Sequence, residues 1–258
     1  TTQVRIDPET NTLIREGVPS IINPFDESAI EEGIRLKERF GGEVSLVCQG
    51  PPTAISEMQK GLSFGADRAF LLTDLAMRGS DTLATSYILS TAIKKLWDEY
   101  GLDIVLCGKQ TIDGDTAQVG PGIAQRLSLS QLTYVDKVVD IDLEKRRIQA
   151  RRHLEGATAV VDAPMPALLT MLKEANTPRY ASLPNLINSL RAQPIVWDAK
   201  TLDLDPEQMG LKGSPTSVRR IFAPPERSGG EIIADASETP QRAAAKAVEK
   251  ILASGVLD

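Results

Sequence analysis

The chain has 258 residues, of which 41% are hydrophobic and 25% charged, and its 29 basic and 35 acidic side chains give a net charge of -6. This is the composition of an ordinary globular protein, which excludes collagen and wholesale disorder. The acidic balance argues against a general binder of nucleic acid or membrane surfaces, because affinity for phosphate requires positive charge. A single histidine, His153, two cysteines, Cys48 and Cys107, and 4% aromatic residues leave little from which to build a histidine-based triad, a zincin or a zinc ribbon.

Cys48 and Cys107 each close an apolar run (SLVC and IVLC). They read as buried thiols rather than a disulfide, which fits a reducing cytoplasm. No run of residues reaches the roughly 18 apolar positions of a membrane span, and the opening TTQVRIDPET carries no signal-peptide core. Without an initiator methionine, the chain is expected to begin inside a longer gene product.

Between Glu43 and Lys109 short apolar runs alternate with helical patterns, the signature of a parallel sheet with crossover helices. A helix is expected over 26–40, where Ala29, Ile30, Gly33, Ile34 and Lys37 form one stripe and Gly41 stands where a C-terminal cap is wanted. Strands follow over 43–49, 68–73 and 103–108, each rich in Val, Ile and Leu as strands covered on both faces are. Helices over 53–63 and 81–100 connect them. The architecture is a doubly wound α/β fold. Such sheets bind ligands beyond the carboxyl ends of their strands, which points to the loops after Gln49, Thr73 and Gly108.

Past Leu127 the pattern turns to closely spaced strands over 133–141, 147–153, 158–162 and 167–171, read as antiparallel hairpin additions. The basic run KRRIQARRH (145–153) lies on one of them and lacks interleaved aromatics, so it reads as a solvated edge strand rather than an RNA patch. His153 has no nucleophile or second ligand near it in sequence and reads as structural.

From Gln193 onward prolines 194, 206, 215, 224, 225 and 240 interrupt any periodicity. A long irregular stretch is unusual inside a compact domain. Its apolar residues Ile195, Val196, Trp197, Leu202, Leu204, Met209, Leu211, Ile221 and Phe222 suggest an arm wrapped on a partner. The division is therefore an α/β domain over 1–192, to which the resemblance given below assigns nucleotide binding, and an arm over 193–258. The arm ends in a helix opened by Thr239 and Pro240, followed by Gly255, with Ala243, Ala244, Ala247, Val248, Ile251 and Leu252 as its docking stripe.

The chain contains no GxxxxGK[ST], GxSxG, CxxC or HExxH, and Gly120 and Gly122 lack the third glycine of GxGxxG. The SGG at 228–230 lies in the arm and is discounted. What remains is GKQTIDGDTAQVGP (108–121), which leaves an apolar strand and enters a short helix. With Asp115 or Thr116 as cap, the N–H groups of 116–119 would be free donors suited to a phosphate. Lys109 and Gln118 can approach that anion directly. Asp113 and Asp115 suit ribose hydroxyls, backbone N–H groups or capping instead. A capped turn without any ligand accounts for the same pattern.

GKQTIDGDTAQVGP, INPFDESAIEEGIRLKE (22–38), the GP…GADRAFLL series (50–72), PALLTMLKEANTPRYASLPNLI (166–187) and SPTSV (214–218) together resemble the beta subunit of electron-transfer flavoproteins. The resemblance implies an adenine-nucleotide-hydrolase-like fold with a leading strand and a KQVPD-like loop ahead of the first residue. It also implies a heterodimer with an alpha subunit. On that resemblance Gly108, Lys109, Gln110, Asp113, Gly114, Asp115, Thr116, Ala117, Gln118 and Val119 hold a nucleotide, with Asn23, Pro24, Phe25 and Asp26 as a second contributing stretch. Phe25 matches a position that approaches the flavin of the alpha subunit; on its own it reads as a hydrophobic staple at the entry to the first helix.

The stretch 175–190 matches the loop that docks partner dehydrogenases, with Pro178, Arg179, Tyr180, Leu183 and Pro184 as docking residues and Leu183 as the anchor. An inward core leucine is the other reading of Leu183. Gly114, Ala117 and Val119 follow the DGDTAQVG pattern of electron-bifurcating members, which carry one FAD in this subunit and one in the alpha subunit. Such members oxidise NADH and use ferredoxin or flavodoxin as a possible low-potential acceptor. Two other readings stand beside this one. One is a housekeeping carrier with AMP that passes electrons from acyl-CoA dehydrogenases to a quinone reductase. The other is a nucleotide-binding module resembling universal stress proteins.

Overall fold

A computed structural model describes residues 20–218, 232 and 239–255. Expectations placed on 1–19, on Ile221, Phe222, Pro224 and Pro225, and on the SGG at 228–230 lie outside the described residues. The chain divides into two compact units, one of 17–218 and one of 1–16 with 219–258.

In the larger unit, helix α1 (Pro24–Phe40) opens with proline at its first position and Asp26 and Glu27 in its first turn, and ends at Gly41, whose N–H is donated to Lys37 O. Strand β1 (Ser45–Gln49) follows, then α2 (Ile55–Phe64), β2 (Arg68–Leu72), α3 (Thr82–Tyr100), β3 (Ile104–Gly108) and α4 (Val119–Leu127). Asp81 caps α3, its carboxylate accepting from the N–H groups of Leu83 (3.0 Å) and Ala84 (3.1 Å). The alternation expected from the sequence is present throughout this half.

The rest of the unit comprises β4 (Ser130–Asp142), β5 (Arg147–Leu154), β6 (Ala157–Pro164), β7 (Ala167–Met171), α5 (Leu183–Arg191) and β8 (Ile195–Trp197). The strands form two sheets, ordered β1-β2-β8 and β3-β7-β4-β5-β6. The first is wholly parallel, and in the second β7 runs parallel to both β3 and β4 while β4, β5 and β6 form antiparallel hairpins. Two expectations are corrected here. Strand β7 is no hairpin strand but a central parallel one, buried along its whole length, and its unalternating ALLTM is what such a position needs. Strand β5 is no edge strand, since it lies between β4 and β6. Ile148 and Ala150 face inward, while Arg147 pairs with Asp162 and Arg151 with Asp136, so the basic run is balanced by acids of its neighbours. His153 also bonds to Asp136, at 2.8 Å, in keeping with a structural role.

The arm expectation changes as well. Strand β8 pairs in parallel with β2, and Trp197, Leu202, Leu204 and Met209 are buried in one cluster with Phe70, Ile88 and Leu96. Trp197 and Phe70 pack at 4.7 Å between ring centroids. Ser214 accepts from the Asp81 N–H, and Thr216 donates twice to the Asp81 carboxylate. Residues 195–216 thus complete the domain. An irregular segment with spaced apolar residues can be held by a sheet edge and a helix of its own chain as well as by a partner. In the other unit, α6 (Pro240–Ala253) follows Thr239 at its cap position as expected, and it has no buried residue, with Val248, Ile251 and Leu252 all exposed.

Strands β2 and β7 carry the most deeply buried side chains, among them Phe70, Leu71, Leu168 and Met171. Strands β1 and β3 are only half-buried. Among the described residues each has one edge without a strand partner, and both flank a cavity of about 1330 Å³.

Candidate functional site

The cavity runs along β1 and β3 from Val44 and Asp103 at their amino ends to Gln49 and Gly108 at their carboxyl ends, where the loop 109–118 connects β3 to α4. Two glycines let the elements meet closely enough to form its wall. A side chain on Gly108 would stand 2.6 Å from Phe25 Cβ and 2.9 Å from the Asp26 nitrogen, so glycine there allows the start of α1 to rest against β3. A side chain on Gly120 would stand 2.8 Å from Thr170 Cγ2 and 2.9 Å from Cys107 Sγ, so glycine there lets α4 lie on β3 and β7.

The Asp26 carboxylate accepts from the Gly108 N–H at 2.6 Å and from Asn23 Nδ2 at 2.8 Å. Burial raises this carboxyl above its ordinary value of 3.8, against the opposing pull of those two hydrogen bonds. Asn23 Nδ2 also donates to Gln110 O at 2.8 Å, which leaves Asn23 Oδ1 buried without a donor. Gln49 Oε1, at the end of β1, is a second buried acceptor without a partner, and both residues line the cavity. Buried acceptors of this kind are rare and suit the hydroxyls of a ligand.

The loop departs from the expected capping. Helix α4 begins at Val119, and Gln118 stands at its cap position without a side-chain bond to the helix. Asp115 and Ala117 both have left-handed backbone, with φ of 53° and 55°, which is uncommon for residues with a side chain and recurs in ligand-holding loops. This turn carries the Asp115 carboxylate to Gln110 Nε2 instead of to the helix. The first N–H groups of α4 are therefore uncapped, and their dipole favours an anion. Gln118 Oε1 accepts from the Thr82 hydroxyl at 3.1 Å, which ties the loop to the start of α3.

Asn23, Asp26, Gly108, Lys109, Gln110, Asp113, Thr116, Ala117, Gln118 and Val119 line the one cavity. Pro24, Phe25, Gly114 and Asp115 do not. Pro24 and Phe25 form the first turn of α1, Phe25 pressing on Gly108, while the Gly114 N–H is donated to Thr111 Oγ1 at 3.2 Å. Asp113 is exposed. The sequence reading missed Thr82 at the loop and Tyr134, whose ring lies 5.1 Å from Lys109 Nζ. Tyr134 is brought there only by the parallel pairing of β7 with β4, which no local signal announces.

The residues of the docking stretch stand apart from the cavity. Tyr180 is 99% exposed, Leu183 69% and Leu190 65%, so Leu183 points outward. Arg179, by contrast, turns back to α1. Its guanidinium holds Glu31, whose side chain is 3% exposed, at 2.8 Å, and also bonds Glu38. Burial raises the Glu31 carboxyl, but Arg179 and Arg35 outweigh it and hold the group below its ordinary 4.5. Pro178 precedes this anchor, and Pro184 lies in the first turn of α5, which Ser182 caps by accepting from the Asn185 N–H.

Neither cysteine at the site supplies a thiolate nucleophile. Burial pushes the Cys48 thiol up to about 11 and raises Cys107 as well, so neither provides a thiolate near neutrality. No cluster of metal-ligating residues occurs among the described residues. The arrangement suits an anionic, hydroxyl-bearing ligand.

The family model for the electron transfer flavoprotein domain matches residues 10–202. This chain belongs to the electron transfer flavoprotein family. Protein FixA of Azotobacter vinelandii is 48% identical to it over 251 residues, covering 96% of this chain and 89% of that protein. The electron transfer flavoprotein subunit beta of Thermoanaerobacterium thermosaccharolyticum is 47% identical, covering 90% and 87%. The subunit beta of Clostridium acetobutylicum is 45% identical, covering 97% and 93%. The chain is thus an electron-transfer subunit of the beta type, and the universal-stress-like alternative falls. No helix among the described residues is long and apolar enough to cross a membrane.

Proposed function

We propose that this electron transfer flavoprotein subunit binds an FAD of its own and works, with a flavin-carrying alpha subunit, in electron bifurcation. The observation that carries the nucleotide reading is that the cavity along β1 and β3 is lined, towards their carboxyl ends, by two residues with orphaned acceptors, Asn23 and Gln49, by Lys109 and by the uncapped start of α4. These groups fit an adenine nucleotide: the acceptors suit ribose hydroxyls, while the helix start and Lys109 suit phosphates. Gly114, Ala117 and Val119 favour FAD through their likeness to the bifurcating pattern.

A bound FAD would supply the chemistry of accepting a hydride from NADH and passing its electrons on singly, one to a high-potential and one to a low-potential acceptor such as ferredoxin or flavodoxin. The protein's own groups bind and orient. Asp26 fixes the Gly108 backbone, Asn23 and Gln49 present acceptors, and the paired turns at Asp115 and Ala117 aim the start of α4 at the phosphates. A dehydrogenase docks through 175–190, where Leu183 and Tyr180 provide apolar contact and the bonds of Arg179 reduce the ordering cost. The exposed stripe of α6 packs on the alpha subunit.

The test is the nucleotide content of the purified heterodimer. Two FAD per heterodimer supports the proposal. One FAD with one AMP replaces it by the housekeeping carrier that feeds a quinone reductase, and the absence of flavin overturns both.

A further inference from the structure

Lys109 differs from Lys37, the other lysine lining the cavity among the described residues, in what it touches. Lys37 pairs with Asp67 at 2.6 Å. Among the described residues Lys109 has no carboxylate within ion-pair distance; its ammonium lies 5.1 Å from the centroid of Tyr134 and 6.0 Å from that of Phe25. Its backbone is fixed at the end of β3, the N–H being donated to Met171 O at 2.8 Å.

The ring of Tyr134 is placed there by a local break in strand β4. The register of β4 on β7 shifts between Leu132 and Val135, and Tyr134 takes a left-handed φ of 58°. Its N–H, turned from the ladder, is donated to Thr170 Oγ1 at 3.0 Å, and Thr170 is 2% exposed. A bulge re-aims a side chain at the expense of a ladder bond, and here a buried hydroxyl replaces that bond. The aimed ring holds a cation in a way a carboxylate does not. A carboxylate would cancel the charge, whereas the face of an aromatic ring attracts the ammonium and leaves its full charge for a third group.

We propose that Tyr134 is a positioning residue which, with Phe25, holds the Lys109 ammonium un-neutralised at the cavity for the phosphate groups of an adenine nucleotide. This rests on the nucleotide reading given above.

The test uses the purified chain, stripped of bound nucleotide, with ADP and adenosine as probes in equilibrium dialysis. Tyr134→Asn removes the ring while tolerating the left-handed backbone. It is expected to weaken ADP binding about fivefold, the upper end for a cation–π contact to a partly exposed ring, and to leave adenosine within about twofold. Tyr134→Phe is expected to restore ADP binding. Lys109→Met is expected to remove the preference for ADP over adenosine, and adding Tyr134→Asn to it to weaken ADP no further. Equal weakening of both probes by Tyr134→Asn, failure of Tyr134→Phe to restore binding, or unchanged ADP binding would overturn the inference. A wild-type chain that binds neither probe overturns the nucleotide reading itself, and the inference with it.

Discussion

The Asp26 carboxylate accepts the backbone N–H of Gly108 at 2.6 Å, joining the first turn of α1 to the last residue of β3 at the mouth of the cavity. Asp26→Ala leaves that N–H without its partner, at an expected cost of about 1–3 kcal/mol in urea denaturation, and lowers nucleotide retention. Asp26→Asn keeps an acceptor and costs less. Because burial raises the folded-state value of Asp26 above 3.8, the charged form is disfavoured in the fold. Relative to Asp26→Asn, the wild type therefore gains stability as pH falls through that raised value towards 3.8, and loses it as pH rises. A stability difference that is flat across that window contradicts the burial of the carboxylate.

Arg179 ties the docking stretch to α1 through Glu31, a nearly buried carboxylate that also holds Arg35 at 2.6 Å. Arg179→Ala is expected to cost up to about 3 kcal/mol, the lower end for breaking a buried pair, since Arg35 still faces Glu31. Residues 175–182 should exchange their amide hydrogens faster in this variant. Glu31 is held below 4.5, so its contribution is present above 4.5 and is lost as pH falls through the lower folded-state value. Loop exchange rates that ignore both the substitution and acid pH would remove this role.

Leu183 and Tyr180 are exposed and carry little of the fold. Leu183→Ala and Tyr180→Ala should change stability by no more than about 0.5 kcal/mol. Electron delivery to the dehydrogenase should fall about tenfold or more if Leu183 anchors the interface, with nucleotide content unaltered. Unchanged delivery in stopped-flow assays refutes the docking assignment.

Trp197 distinguishes a domain strand from a partner-bound arm. Trp197→Ala is expected to destabilise the chain alone by about 3–5 kcal/mol, the cost of emptying an aromatic core position. Thermal unfolding of the chain without any partner measures it. A variant as stable as the wild type would return residues 195–209 to the arm.

The α/β alternation up to Gly108 was legible because each element announces itself locally, by a 3.6-residue stripe or an unalternating run of Val, Ile and Leu. The place of β7 was not, because ALLTM says that a strand is buried but not which neighbours bury it. Likewise Trp197 and Leu202 declare that they need cover, and only the open edge of β2 shows that the chain supplies it. At the site, the DGDTAQ loop was legible as the turn that joins a buried strand to a short helix. Its capping was misplaced because the left-handed residues Asp115 and Ala117 carry ordinary side chains that give no sign of that backbone. Tyr134 depends on pairing between strands distant in sequence and was invisible.

The central claim, that the loop 108–119 and the start of α1 hold an adenine nucleotide, is tested most directly by hydrogen–deuterium exchange on the nucleotide-free chain with and without added FAD. The account predicts protection concentrated at 23–26, 49–50 and 108–120. Protection confined to other segments, or none at saturating FAD, would contradict it.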